Sequence, residues 1–180
     1  MTGALAPSHR AIAERLLARY PLLFVVHHDE MDSRRALAGL AKAAGLQLFD
    51  AGLSGEDAIA ESKAALKALT ADAGPAALLL LPFGHRLLAD DGFARLLTGR
   101  LAAVERGGHC VVLTGPTPLL RAELERDCVV LTLGLPDEAA LTPLVKAALT
   151  ATDGAGPGQP LLDAAVAAVK GLTRTQVRRA

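Results

Sequence analysis

The feature that most constrains the fold is a repeated alternation between short apolar runs and longer segments with helical spacing. Five runs have the length of a buried strand: PLLFVVH (21–27), LQLFDA (46–51), AALLLLPF (76–83), HCVVLTG (109–115) and CVVLTL (128–133). Segments of crossover length separate them at about 32–44, 54–72 and 90–106, with a shorter piece near 117–125. This order predicts a parallel five-stranded sheet covered by helices on both faces, a three-layer α/β/α fold.

The region before the first strand has the period of one further helix. Ser8 is a residue type that favours a helix N-cap, and the apolar spacing continues to Arg19. We therefore predict a helix that Ser8 caps and that ends near Arg19, directly before the first strand.

After the fifth strand the sequence no longer alternates between apolar runs and helical segments, and helical spacing predominates. Helices are predicted over 137–151 and 161–169, with a flexible loop between them, and a third helix begins at Gly171-Leu172-Thr173. We therefore divide the chain into an α/β core, residues 1–135, and a partial helical lid, residues 136–180. The third helix stops after barely two turns, which fits either a fragment of a longer protein or the fraying of a short terminal helix.

Charge and hydropathy exclude several classes of function. Nineteen Lys and Arg residues balance nineteen Asp and Glu residues, so no overall field attracts nucleic acid or an anionic membrane. The basic C-terminal end has no interleaved aromatic residues, which argues against a nucleic-acid site there. The longest apolar run, 76–84, is less than half a bilayer span, and the N-terminus has no leader pattern. These features predict a cytoplasmic protein without membrane association, with Cys110 and Cys128 as free thiols buried in strands.

The turn after the first strand is where a parallel sheet of this kind would bind a ligand. It has the sequence His27-His28-Asp29-Glu30-Met31-Asp32-Ser33, with neither the glycines nor the lysine of a phosphate cradle. Its three carboxylates would repel a triphosphate, and the motif G-x-x-x-x-G-K-[ST] occurs nowhere in the sequence. Pro82 and Phe83 end the third strand where a magnesium-binding carboxylate would stand. We therefore predict that the chain lacks both Walker motifs, catalytic residues and a bound cofactor.

An alternative uses the same turn as a site for a small molecule or a metal-dependent enzyme. Its candidate residues are His27, His28, Asp29 and Glu30. Neighbouring side chains on a strand point to opposite faces, so both histidines do not easily reach one ion, and we predict no metal site. The more ordinary interpretation is that Asp29 or Asp32 caps the next helix while Glu30 pairs with Arg34. His85 and His109 are expected to be ordinary surface or capping histidines.

Several strings occur together in an order that points to a known family. They are Tyr20-Pro21-Leu22-Leu23 running into His28-Asp29-Glu30, then Gly45-Leu46-Gln47-Leu48-Phe49, Glu123-Leu124-Glu125, Leu135-Pro136-Asp137-Glu138-Ala139 and Gly171-Leu172-Thr173. Over about residues 12–180 the chain resembles the degenerate N-terminal AAA-like domain of bacterial and chloroplast AAA-family ATPases that have a second, intact AAA module downstream. Two positions depart from the pattern of that family. Pro82 lies near the position at the end of strand three where the family often has an aspartate, and His28 lies near the position in the first turn where it often has a tryptophan.

The resemblance implies a RecA-like core with sheet order 5-1-4-3-2 and no autonomous ATPase activity. It also implies a role in protein interaction or assembly, with the chain's own C-terminal AAA module, an AAA partner or further copies of itself as partners. Any ATPase activity would then lie in the downstream or partner module.

Overall fold

The computed structural model describes residues 6–51, 57–71, 74–153 and 156–179. The chain divides into two compact units, residues 1–133 and 134–180. None of the helices in the described ranges is long and apolar enough to cross a membrane.

The first unit contains a parallel five-stranded sheet. Its strands are β1 (Leu22–Val26), β2 (Gln47–Asp50), β3 (Ala77–Leu81), β4 (Cys110–Gly115) and β5 (Cys128–Thr132). They lie in the order β2-β3-β4-β1-β5, and every pairing is parallel. This arrangement confirms both the predicted α/β class and the order 5-1-4-3-2.

Helices cover both faces of this sheet. They are α1 (Pro7–Leu17), α2 (Glu30–Ala43), α3 (Ala58–Leu69), α4 (Gly84–Ala89) and α5 (Asp91–Arg106). One apolar cluster includes Phe24, Phe93 and Leu97 on the side of α3 and α5, and the other includes Leu37 and Leu80 on the side of α1 and α2. The two clusters explain why the central strands are apolar at every position rather than at alternate ones.

Three local predictions about helices are corrected. Helix α1 begins at Pro7, with Ala6 rather than Ser8 at the N-cap, because proline has its φ preset for the first helical position. The short helix α4 precedes α5, whereas the sequence predicted only one helix there. Only a 3-10 turn, Ala122–Leu124, forms within the segment 117–125, where Pro116 and Pro118 remove backbone donors.

The second unit is helical. Its helices are α6 (Glu138–Asp153), α7 (Gln159–Ala168) and α8 (Arg174–Val177). Thr173 and Gln176 form a capping box at the start of α8, which begins just after the Gly171-Leu172-Thr173 string. Parts of the predicted helix 54–72 and of the loop 153–160 lie outside the described residues.

Candidate functional site

The carboxyl ends of β3, β4 and β1 lie side by side at one edge of the sheet. Val26 of β1 is level with Gly115 of β4, and Leu81 of β3 is level with Leu113. The turn after β1, the turn into α4 and the loop after β4 therefore meet at this edge. We call it the carboxyl edge, and it is the place where sheets of this kind bind their ligands.

The carboxylates of the turn after β1 lie at the N-terminus of helix α2, where they interact with its first turn. Asp29 is the N-cap of α2, and its Oδ1 accepts a hydrogen bond of 3.0 Å from the amide of Asp32. Glu30 and Asp32 occupy the first turn of the helix, so negative charge already complements the positive end of its dipole. Burial, its largest cause, raises the pKa of Glu30, and Arg34 opposes that shift. The capping prediction for Asp29 is confirmed.

The predicted pairing of Glu30 with Arg34 is wrong. Nη2 of Arg34 instead contacts Oδ1 of Asp50 at 2.6 Å, at the end of β2. Asp50 is the last residue of β2, and its carboxylate takes the guanidinium that the helical spacing assigned to Glu30, on which Arg34 acts only as a nearby charge. This ion pair ties α2 to β2.

The two adjacent histidines point to different environments, as the alternation of a strand predicts. His27 is 7% exposed, whereas His28 is exposed. The main-chain N–H of His27 donates to the carbonyl oxygen of Gly115 at 3.2 Å, which extends the pairing of β1 with β4. Both ring nitrogens of His27 are buried, and neither has a hydrogen-bond partner among the described residues. Burial is the largest cause that lowers its pKa, and Asp29 opposes the shift.

The turn after β3 consists of apolar residues, one of which has a left-handed backbone conformation. Pro82 is buried, while Phe83 is 38% exposed and has a φ of 56°, in the left-handed region that few large residues adopt. The guanidinium of Arg86 lies 5.5 Å from the centre of the Phe83 ring. A Cβ at Gly84 would lie 2.8 Å from Cβ of Leu113, so only glycine lets α4 begin this close to β4.

Two further polar side chains complete the carboxyl edge. Thr114 is fully buried, and its Oγ1 has no hydrogen-bond partner in the described part of the chain. Nδ1 of His85 is likewise buried and unpartnered there, and it lies 2.8 Å from the position that a Cβ at Gly115 would take. The sequence predicted an ordinary surface or capping role for His85 and did not single out Thr114. No local signal identifies them, because the burial of their polar atoms depends on how the strands and α4 pack together.

The prediction for His109 is wrong. This residue is 4% exposed, and its Nδ1 accepts a hydrogen bond of 3.2 Å from the amide of Ala77 at the start of β3. Burial lowers the pKa of His109, in keeping with a neutral acceptor. It lies at the amino ends of the strands, on the opposite edge from His27, and helps to hold β3 beside β4.

The remaining metal-binding and nucleophilic side chains of the described residues do not form a common site. Across the described ranges, no set of three or more His, Cys, Asp and Glu side chains is placed to hold a metal ion. Cys110 and Cys128 are free and buried, and burial raises the pKa of Cys110 to about 11 and that of Cys128 to about 12. A separate cavity of about 280 Å³ lies between α3 and the strands β2 and β3 and includes none of the sequence-predicted site residues.

Comparison with known proteins agrees with this architecture. A family model described as the N-terminal domain of SpoVK-like AAA ATPases matches residues 8–133. No curated protein matches the chain.

Solved structures show the same fold at low sequence identity. PCH-2 of C. elegans is 12% identical, with a TM-score of 0.69 over 95% of this chain. The FIGL-1 AAA domain in complex with ADP is 13% identical, with a TM-score of 0.67 over 97% of this chain and 68% of that one. A chain of the HORMA:CdnC:Trip13 complex of E. coli MS115-1 is 16% identical, with a TM-score of 0.55 over 93% of this chain and 68% of that one. The chain spans 60% of the length of the PCH-2 chain.

Proposed function

Because the chain belongs to the family of SpoVK-like AAA ATPase N-terminal domains, we propose that it is a degenerate, non-catalytic AAA-like domain that mediates protein interaction and assembly. It would act as the N-terminal part of a longer AAA ATPase or as a partner of one. ATP hydrolysis would then belong to that other module.

The capping of α2 by Asp29 is the observation on which the proposal chiefly rests. A phosphate-binding turn needs free backbone amides that point at the anion and a lysine beside them. In this turn the Asp29 carboxylate accepts from the Asp32 amide at 3.0 Å, and two more carboxylates follow in the first turn. A nucleotide phosphate would have to displace a carboxylate from its amide while being repelled by its neighbours.

The turn after β3 supports the same proposal. A carboxylate that holds magnesium would be expected at the end of this strand, and the chain has buried Pro82 and exposed Phe83 there. Neither side chain is a ligand for a hard cation.

Exposed apolar side chains support the interaction role. Met31, Phe83 and Leu119 are 61%, 38% and 52% exposed, and each belongs to one of the three segments that follow β1, β3 and β4. Apolar side chains at adjacent loops are typical of surfaces that another protein covers. One structural neighbour, from the HORMA:CdnC:Trip13 complex, was solved with protein partners. By analogy we propose that an AAA module covers the carboxyl edge of this chain.

Nucleotide assays test the non-catalytic part of the proposal. The chain should release no inorganic phosphate from ATP with magnesium above a buffer blank, and millimolar ATP or ADP should leave its Tm unchanged. A ligand present at 100 times its Kd would stabilise the fold by about 2.7 kcal/mol, so binding would be visible. Phosphate release that Asp29→Ala alters would overturn the proposal.

A matched pair of variants tests the interaction part. Met31→Ser changes a side chain at the carboxyl edge, whereas Leu17→Ser changes one of nearly equal exposure, 62%, at the opposite end of β1. Light scattering after size-exclusion chromatography would measure association with an intact AAA module of the same family. Met31→Ser should weaken the complex and Leu17→Ser should not. Equal weakening by both variants, or no complex with the unmodified chain, would contradict the proposal.

A further inference from the structure

The two outermost strands of the sheet differ in how well they are protected against further pairing. In the described part of the chain β2 and β5 each pair with one other strand, so each has one side that carries main-chain groups without a strand beside it. Strand β2 is four residues long and ends in Asp50, whose carboxylate contacts Arg34 at 2.6 Å. Short length and charge are common means by which proteins prevent pairing at such a side, and β2 has both.

Strand β5 has no comparable protection in its sequence. It reads CVVLT (128–132), and no charged residue occurs from 128 to 136. Valine and threonine are β-branched residues that favour extended pairing. Val130 is 40% exposed and Thr132 is exposed. We call the side of β5 that faces away from β1 the free edge of β5.

The hydrogen bonding of the main chain shows which residues present their polar groups to this free edge. The N–H of Leu133 donates to the carbonyl oxygen of Val26 at 2.8 Å, so the main-chain groups of Leu133 point toward β1. Successive residues of a strand point these groups to alternate sides. The N–H and C=O groups of Cys128, Val130 and Thr132 therefore point toward the free edge.

We propose that the free edge of β5 is a self-association surface, at which β5 of a second copy of the chain adds in the antiparallel direction and joins the two sheets. The inference is independent of the proposed function, because it uses the side of β5 and not the carboxyl ends of the strands.

One register pairs all three residues that face the free edge. When the antiparallel pair is centred on Val130, this residue lies opposite Val130 of the second copy and exchanges both main-chain hydrogen bonds with it. Cys128 lies opposite Thr132 and is paired in the same way. A pair centred on a neighbouring residue leaves at least one of the three without a partner in β5.

Charge favours a second copy as the partner. The strand has no charged side chain that would face its own counterpart across the two-fold axis. The nineteen basic residues of the whole chain balance its nineteen acidic ones, so two copies approach each other without net repulsion.

Sedimentation of the intact chain over a range of concentrations tests the association. The average mass should rise from that of one chain toward that of two. Val130→Lys places two ammonium groups opposite each other and should raise the Kd of the dimer by about tenfold or more. Phe49→Lys on β2, where the native side chain is 46% exposed, is the matched control and should leave this Kd unchanged.

A cysteine at the centre of the pair tests the register. Hydrogen-bonded residues of an antiparallel pair have Cα atoms about 5.5 Å apart, within the range that a disulfide spans. Mild oxidation of Val130→Cys should therefore link two copies through a bond that a reducing agent breaks. Phe49→Cys should remain a single chain, and the native thiols of Cys110 and Cys128 are buried.

Three results would overturn the proposal. The first is a wild-type chain with the mass of one copy at every concentration, which remains decisive if a variant fails to fold. The second is a dimer that Phe49→Lys weakens as much as Val130→Lys does. The third is a monomeric chain that instead binds an extended peptide of another protein along β5.

Discussion

The two units of the chain use similar residues to build cores of very different kinds. In the first unit a central sheet has an apolar cluster on each face, so strand residues such as Leu79 and Leu80 each enter a separate core. In the second unit, three helices share one cluster of buried side chains among the described residues, namely Leu141, Val145, Leu162, Val166 and Val177. A strand in a sheet that is covered on both faces buries the side chains of both faces, whereas a helix with one apolar stripe buries the side chains of that stripe alone.

This difference indicates that the first unit is stabilised by more buried apolar area than the second. Hydrophobic stabilisation grows with the apolar area removed from water, so the second unit has much less to lose before its helices separate. The capping box at α8 becomes correspondingly important, because a helix of four residues cannot persist on backbone hydrogen bonds alone.

The largest effect is expected from Phe24→Ala in β1. Phe24 is fully buried, and its ring approaches both Gly84 and Gly115, so its removal leaves a cavity beneath the carboxyl edge. The free energy of unfolding should fall by about 3 to 5 kcal/mol. Urea unfolding followed by circular dichroism measures this loss. A loss below 1 kcal/mol on that scale would mean that the sheet core can collapse around the missing ring.

Leu141→Ala should weaken the second unit by about 2 to 3 kcal/mol, the lower part of the range for buried leucine, because its core is small. Leu141 is fully buried, whereas Leu161 on α7 is 52% exposed and provides the control. Amide exchange should accelerate in residues 138–151 and 159–168 and stay unchanged in β3. Acceleration throughout both units would contradict the separation of the two cores.

Gly84→Ala tests the tight packing of α4 on β4. The new Cβ would lie 2.8 Å from Cβ of Leu113, and relieving that overlap should cost about 1 to 3 kcal/mol of stability. Gly39→Ala on α2 is the control, because its Cβ has no neighbour within 4 Å, and it should be stabilising by about 0.5 to 1 kcal/mol. Thermal unfolding of both variants measures the contrast, and equal Tm values would show that α4 shifts freely.

Thr173→Ala should have the smallest effect, about 1 kcal/mol, by removing the hydroxyl that accepts from the amide of Gln176. Thr175→Ala, within α8, removes a hydroxyl that does not cap the helix and is the matched control. Exchange of the amides in 174–179 would report the change. If Thr175→Ala gives the same acceleration, the capping box does not hold α8.

How far the sequence predicts this protein varies from one feature to another. The five strands, the cap of α2 by Asp29 and the burial of both thiols follow from local pattern, because apolar period and capping chemistry act over a few residues. The strand order was implied by family resemblance and not by the pattern itself. The errors at Ser8 and at 117–125 arose where prolines set the backbone more strongly than the residues around them.

By itself, then, the sequence determined the α/β class and the positions of the strands. Only the tertiary structure decided that Arg34 pairs with Asp50, that His109 holds β3, and that polar atoms of His27, His85 and Thr114 are buried. These partners lie far apart along the chain, and parallel strands bring them together only after the order and register of the sheet are set.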